Sequence, residues 1–131
     1  MASLKEACGL FGIYSKASVA VSIAAYHALF ALQHRGQEGC GIALNGGGEL
    51  SVCKDLGLVG DVFSSPHEAL NQSAHMALAH TRYGTSGESS RENVQPLLIR
   101  HQLASMALAH NGNLTNDEAL RSKLEQHGSL F

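Results

Sequence analysis

The apolar positions of the chain fall into blocks that repeat with either strand or helix periodicity. The stretch CGLFGIYS, residues 8–15, is a short apolar run that predicts a buried strand. In SVAVSIAAYHALFALQHRG, residues 18–36, apolar residues recur at helical spacing from Val21 onward. This pattern predicts a helix that is capped by Ser18 or the residue before it and that ends at Gly36.

The next blocks predict a hairpin and short helices. GCGIALNGGGELSVCKD, residues 39–55, has two apolar runs around a glycine-rich turn, which is typical of a β-hairpin. DVFSSPHEALNQ, residues 61–72, carries short helical pieces, with Pro66 near the first turn of the second. We therefore expect strands and helices to be mixed in blocks along this half of the chain.

The string MALAH occurs twice in the second half, within HMALAHTR (75–82) and SMALAHNG (105–112). Between them, VQPLLIRH (94–101) predicts a third strand, with Pro96 near its start, where a missing N–H is tolerated. Three consecutive strands predict an antiparallel meander, in which both MALAH strands run in the same direction. The polar loops that follow the two copies would then face the same edge of one sheet.

A capped helix is predicted in TNDEALRSKLEQHG, residues 115–128. Thr115 and Glu118 have capping-box spacing, and Gly128 stands just past the end. The final residues, GSLF, resemble the entry to another strand, so we expect the fold to be incomplete within these residues. Together the blocks predict an α+β fold in which helices pack on an antiparallel sheet.

Composition narrows the class of protein. The 131 residues suit one domain, and 44% apolar content is ordinary for a globular protein. A net charge of −2 and few aromatics argue against binding to nucleic acid or an anionic membrane. No apolar run reaches the length of a membrane span, and the N-terminus does not resemble a secretory signal. A soluble, cytoplasmic protein is therefore expected.

The cysteines and histidines argue against cross-links and metals. Three cysteines without CxxC spacing do not suit a disulfide framework or a structural zinc site. The eight histidines form no HxH or HxxxH pair, so we expect no metal site.

Cys8 is the first candidate for chemistry. If residues 1–7 were cleaved, Cys8 would carry a free α-amino group, whose ordinary pKa is about 7.7–8.0. That amine is a usable general base beside the thiol. The alternative is that Cys8 is a small buried residue on a core strand.

The two loops after MALAH offer groups that bind charge. Asn111 can donate from its side-chain amide and Gly112 from its main chain, which suits an oxyanion hole, although NGN is also a common turn. The planar guanidinium of Arg82 has several N–H donors in a geometry that suits a carboxylate, and Thr85 could add a hydroxyl donor. Arg35 lies at the predicted helix end, where a cation is also favoured by the helix dipole.

Together the candidate residues are less ambiguous, because they lie in five motifs that occur in a fixed order: CGLFGI, LQHRGQEGCGIA, AHTRYGTSG, ENVQPLL and LAHNGNLTN. From Cys8 onward the chain resembles the N-terminal glutamine amidotransferase domain of the amidophosphoribosyltransferases, which are class II enzymes with an N-terminal nucleophile. The resemblance implies a four-layer αββα sandwich of the Ntn-hydrolase type, incomplete in residues 8–131. It also implies that residues 1–7 are a propeptide.

The resemblance assigns a role to each candidate residue. Cys8 corresponds to the nucleophile that attacks the side-chain amide of glutamine, and its α-amino group relays the proton. Asn111 and Gly112 correspond to the oxyanion hole. The substrate-binding residues implied are Arg82 for the α-carboxylate, Tyr83 and Thr85 in the same loop, and Arg35 at the helix end.

The implied whole enzyme passes ammonia to phosphoribosyl pyrophosphate and forms phosphoribosylamine, the first committed step of purine synthesis. No cofactor is expected in this segment; Mg²⁺ and, in some members, an iron–sulfur cluster belong to the C-terminal part. Glutamine and phosphoribosyl pyrophosphate are the expected partners, with homo-oligomers in the full-length enzyme. An Asp that binds the glutamine α-amino group would follow residue 131, so we expect weak or no activity from these residues alone.

Three other interpretations stay open on sequence alone. The chain could belong to another class II amidotransferase with a different acceptor. It could be a cysteine hydrolase with a Cys–His dyad that uses His80 or His110. It could also be an inactive fragment.

Overall fold

The computed structural model describes residues 8–17, 20–64, 70, 73–84, 89–112 and 114–129. The elements in chain order are β1 (Gly9–Tyr14), α1 (Val21–Leu32), β2 (Gly39–Gly46), β3 (Glu49–Leu56), α2 (Val59–Val62), β4 (Met76–Arg82), β5 (Leu97–Arg100), β6 (Ser105–Leu108) and α3 (Asp117–Gln126). Short 3₁₀ turns occupy Gln33–Arg35 and Arg91–Asn93. The predicted α+β class with antiparallel sheets is confirmed.

The first sheet has four strands in the order β1-β4-β2-β3, and each neighbouring pair is antiparallel. The predicted hairpin is confirmed as β2 and β3. Gly47 and Gly48 form its turn with φ values of +65° and +94°. A two-residue turn of this kind needs positive φ at both positions, which glycine adopts without steric cost.

The predicted meander is wrong. β4 lies between β1 and β2 in the first sheet, whereas β5 pairs with β6 in a separate two-stranded sheet. The reason is that Ala77, Ala79, His80 and Thr81 of β4 are buried on both faces of the strand. Such a strand requires a partner on each edge and cover on each face, so it takes the centre of a sheet rather than the edge of a meander.

Helix α1 packs against β1, β4 and β2 and forms the main core. The helix begins at Val21, with Ala20 at its N-cap and no capping side chain; Ser18 lies outside the described residues. Helical spacing predicts one apolar face of Val21, Ala25, Leu29 and Leu32; the first three are fully buried, and Leu32 is half-buried. The other buried members of this core are Cys40, Ile42, Leu44, Val59, Val62, Phe63, Ala74, Ala77 and Ala79.

The second sheet region covers the opposite face of the first sheet. A Cβ atom on Gly39 would lie 2.8 Å from Val94 Cγ2, and one on Gly41 would lie 2.5 Å from the Gln95 carbonyl oxygen. Glycine at these positions lets the segment before β5 approach β2 closely. Farther along, the gap between the sheets widens into a cavity of about 570 Å³ that reaches Met106 of β6.

The C-terminal helix is present, but its predicted cap is wrong. Asn116, not Thr115, is the N-cap of α3, and it makes no side-chain capping bond, so the expected capping box with Glu118 does not form. Gly128 lies just past the helix with a φ of +90°, as predicted for a terminating glycine. No residue of α3 is buried.

The short helical pieces predicted over residues 61–72 are seen only in part. α2 covers Val59–Val62, while Pro66 lies outside the described residues. None of the helices in the described ranges is long and apolar enough to cross a bilayer.

Candidate active site

Cys8 lies at the entrance to β1 in an unusual backbone conformation. Its φ is +54°, a backbone conformation that residues other than glycine adopt rarely and at a cost in free energy. The half-buried thiol accepts a hydrogen bond from the Tyr83 main-chain N–H, with 3.4 Å between N and Sγ. Strain of this kind persists where surrounding contacts impose it, and it is concentrated at functional sites.

Arg35 supplies one of those contacts. Its Nε donates to the Cys8 carbonyl oxygen at 2.8 Å, so the 3₁₀ turn after α1 holds the main chain of the candidate nucleophile. The turn is itself braced by Gln33, whose Nε2 donates to the Gly36 carbonyl at 2.6 Å and whose Oε1 accepts from the Val59 N–H at 2.7 Å. The position of Arg35 thus follows from side-chain contacts as well as from its place at a helix end.

The other two thiols are poor candidates for nucleophiles. Burial raises the pKa of the Cys40 thiol to about 12, and neighbouring negative charges act in the same direction. Burial also raises the pKa of Cys53, against the opposing effect of Arg91. Because the thiolate is the reactive form, Cys8 is the best placed of the three cysteines.

Arg82 ends β4 beside Cys8 and is already held by the protein. Its Nε lies 3.3 Å from Glu38 Oε2, and Nη1 donates to the Asn93 carbonyl at 2.7 Å. Only 11% of the Arg82 side chain and 16% of the Glu38 side chain are exposed. Glu38 balances the charge of a nearly buried guanidinium and fixes its plane.

Glu38 is a residue that the sequence prediction missed. Its carboxylate also accepts a hydrogen bond from Ser89 Oγ, and its N–H donates to the Arg82 carbonyl at 3.1 Å. Glu38 could have been noticed because it is the acidic residue in the motif LQHRGQEGCG and directly precedes a predicted strand. A buried arginine near that strand would need an acidic partner.

The second loop carries Asn111 and Gly112, both of which are exposed. The preceding residue, His110, donates its main-chain N–H to Gln95 Oε1 at 2.6 Å. Gly112 has a φ of +147°, and a Cβ atom there would meet no atom within 4 Å. Its requirement for glycine is therefore conformational rather than a matter of space.

The predicted common sheet edge for the two loops is wrong, because Arg82 belongs to the first sheet and the Asn111 loop follows the second. The loops are instead linked by one short segment. Asn93 binds Arg82 through its carbonyl, and Gln95 binds the His110 N–H through its side chain. Thr85 lies outside the described residues, and Tyr83, 43% exposed, contributes its main chain to Cys8.

His80 is buried between the sheets. Neither ring nitrogen has a hydrogen-bond partner among the described residues, and burial lowers the pKa of His80 to about 4. The nearby main chain of His110 opposes this shift, while the charges of His110 and Arg82 add to it. His80 makes no hydrogen bond to the Cys8 thiol, so the described contacts do not support a Cys8–His80 dyad.

Metal ligands are not grouped in the described residues: no set of three or more His, Cys, Asp or Glu side chains there could hold an ion. The structure instead places a half-buried thiol at the entrance to a strand, close to a nearly buried guanidinium at the end of the neighbouring strand. A thiol in such a position is a candidate nucleophile for attack on a carbonyl group.

Comparison with known proteins identifies the class. The family described as "Glutamine amidotransferases class-II" matches residues 7–128. The chain therefore belongs to the class II glutamine amidotransferases. Amidophosphoribosyltransferases are similar to it: that of Methanocaldococcus jannaschii is 45% identical over 125 residues, and that of Bacillus subtilis is 46% identical over 129 residues. These alignments cover 95% and 98% of this chain and 26% of each relative.

Solved structures agree with this assignment. One titled "Structure of the allosteric regulatory enzyme of purine biosynthesis" is 44% identical, with a TM-score of 0.80 over 93% of this chain. The glutamine phosphoribosylpyrophosphate amidotransferase of B. subtilis, complexed with ADP and GMP, is 40% identical with a TM-score of 0.75 over 95%. The chain spans about a quarter of the length of these relatives.

Proposed function

We propose that this segment hydrolyses the side-chain amide of glutamine by means of Cys8 as an N-terminal nucleophile. The observation that carries the proposal is the convergence on Cys8: a strained φ of +54°, a main chain held by Arg35, and a thiol beside the residue that follows Arg82. In this proposal residues 1–7 are removed and the domain extends from residue 8.

The chemistry requires one thiol, one base and one set of donors. The freed α-amino group of Cys8 takes the thiol proton as sulfur attacks the amide carbon, and the proton passes to the leaving nitrogen, which departs as ammonia. Water then attacks the γ-glutamyl thioester, releases glutamate and restores the thiol. Asn111 and Gly112 stabilise the oxyanion that forms in both steps.

Arg82 binds the α-carboxylate of glutamine in this scheme. Its contacts to Glu38 and Asn93 fix the plane of the guanidinium before substrate arrives, which lowers the entropy lost on binding. Tyr83 and Thr85 belong to the same loop. Arg35 acts on Cys8 by holding its carbonyl oxygen.

We propose further that the ammonia serves phosphoribosyl pyrophosphate in a longer polypeptide, forming phosphoribosylamine for purine synthesis. The names of the similar relatives support this acceptor over that of another class II enzyme. We assign the transfer step, its Mg²⁺ and any iron–sulfur cluster to a part of the longer polypeptide outside this segment. We also propose that the longer polypeptide forms a homo-oligomer and works in the cytoplasm.

The test uses the chain prepared with Cys8 as its first residue. We expect glutamine-dependent release of glutamate at a slow rate and a γ-glutamyl adduct on Cys8 by mass spectrometry. Cys8→Ala is expected to reduce both signals to background, whereas the half-buried Cys53→Ala retains them. Equal activity from a chain that still carries residues 1–7 would exclude the α-amino group as the base.

A further inference from the structure

The motif ENVQPLL connects the two candidate arms of the site, and only its Asn93 carbonyl has a role in the scheme above. We infer that Gln95 is a positioning residue for the oxyanion-binding loop: its Oε1 accepts the His110 N–H and thereby fixes Asn111 and Gly112. This inference rests on the proposed function and adds a residue to the same site. Three observations carry it.

The main chain at Gln95 is a rigid platform. Val94 and Pro96 on either side are buried, and the Gln95 carbonyl lies so close to β2 that a Cβ on Gly41 would approach it to 2.5 Å. Lys54 Nζ donates to the Val94 carbonyl at 2.5 Å and to the Glu92 carbonyl at 3.1 Å. The base of the Gln95 side chain is therefore held against the first sheet.

The loop that Gln95 reaches has little packing of its own. None of the described residues between 97 and 129 is buried, and Asn111 and Gly112 are exposed. At 2.6 Å, the bond from the His110 N–H to Gln95 Oε1 ties this loop to the platform. A donor set for an oxyanion must be held in place before the reaction, because a displacement of about 1 Å can cost about 100-fold in rate.

The same segment also holds the other arm. The Asn93 carbonyl accepts from Arg82 Nη1 at 2.7 Å, two residues before Gln95. Residues 93–95 thus set the separation between the group proposed to bind the glutamine carboxylate and the groups proposed to bind the oxyanion. Loss of the Gln95 acceptor would loosen the second group and leave the first in place.

The experiment compares Gln95→Met with Gln95→Glu. Methionine has a similar shape but no oxygen, whereas glutamate keeps an acceptor at the same position. We expect Gln95→Met to lower kcat for glutamine hydrolysis about 10- to 100-fold with KM within about twofold, because the oxyanion forms only in the transition state. Gln95→Glu should recover most of the rate. Gln102→Met, at an exposed position before β6, is the matched control.

A second readout does not depend on activity. Amide hydrogen exchange in the segment 106–112 should quicken in Gln95→Met and stay close to wild type in Gln95→Glu, while exchange in β2 stays unchanged in both. The inference would be overturned if Gln95→Met and Gln95→Glu had the same kcat and the same exchange rates in residues 106–112. It would also be overturned if β2 lost its protection from exchange in Gln95→Met. If this segment does not hydrolyse glutamine, the kcat comparison is made in the longer polypeptide, where loss of hydrolysis in wild type would refute the proposed function; the exchange comparison decides separately whether Gln95 holds the loop.

Discussion

The pentapeptide MALAH occurs in β4 as residues 76–80 and again at β6 as residues 106–110, in opposite environments. In the first copy Ala77, Ala79 and His80 are buried, whereas in the second copy none of the five residues is. Identical side chains thus form the centre of one sheet and the exposed strand of another. The difference shows that neighbours on both edges and both faces, rather than the local sequence, decide burial.

The two groups of candidate site residues are also held in place by different parts of the structure. Cys8, Arg35 and Arg82 lie at one end of the first sheet, whose central strands β2 and β4 are largely buried. Asn111 and Gly112 follow the exposed copy and are connected to the first sheet through Gln95. Paired substitutions in the two copies can test this contrast directly.

The largest difference is expected for Ala79→Asp against Ala109→Asp. Ala79 is fully buried in the core beneath α1, so a carboxylate there would lack both water and a partner. We expect a loss of about 4 kcal/mol in the free energy of unfolding. Ala109 is half-buried, and its variant should lose less than about 1 kcal/mol. Urea unfolding measures both, and equal losses would refute the contrast.

The histidines should differ in their dependence on pH. Because burial lowers the pKa of His80 to about 4, the unfolded chain binds a proton between about pH 6.5 and 4 that the folded chain does not. Stability should therefore fall on acidification through that window, by up to about 3 kcal/mol from this residue.

Unfolding of His80→Gln and His110→Gln across the same pH range checks this effect. The first variant should lose most of the acid sensitivity that His80 contributes. The second should retain it, because burial is the main cause of the His80 shift. The same pH slope in His80→Gln as in wild type would contradict the assignment.

A smaller effect is expected where the two sheet regions meet. In Gly41→Ala the new Cβ would lie 2.5 Å from the Gln95 carbonyl oxygen and 2.6 Å from Lys54 Cβ, so the segment before β5 must shift. We expect a loss of about 1–3 kcal/mol and faster exchange at His110. Gly12→Ala is the matched control, since its Cβ would meet no atom within 4 Å. Similar melting temperatures for the two variants would argue against close packing here.

The smallest difference is expected for Leu78→Ala against Leu108→Ala. Leu78 is half-buried beside the cavity between the sheets, and Leu108 is 43% exposed. We expect the free energy of unfolding to fall by about 1–2 kcal/mol in Leu78→Ala and by about 0.5 kcal/mol in Leu108→Ala, because less apolar area is removed from water. A greater loss at Leu108 in chemical unfolding would mean that β6 is better covered than the fold indicates.

Local patterns were sufficient for much of the fold. Apolar spacing predicted the buried face of α1, and a glycine-rich stretch between two apolar runs predicted the β2–β3 turn. The predicted cap of α3 failed at Thr115 because a capping side chain is one of several ways to begin a helix. The meander failed because sequence adjacency favours a hairpin, whereas β4 gains more by pairing with β1 and β2.

In the candidate site, too, some residues could be predicted from the local sequence and others could not. Cys8, Arg35 and Arg82 could be singled out because a thiol or a guanidinium has distinctive chemistry wherever it occurs. Glu38 and Gln95 could not, because their importance arises from contacts with residues 44 and 15 positions away. A side chain that acts by holding another residue has no local signature.

The sequence by itself determined which side chains are candidates for chemistry, where most strands and helices lie, and the family to which the chain belongs. These properties depend on side-chain chemistry and on periodicities of two and 3.6 residues. Only the tertiary structure decided which copy of MALAH is buried, that Arg82 pairs with Glu38, and that residues 93–95 connect the two arms. Those outcomes depend on contacts between distant parts of the chain, which arise when the two sheets stack.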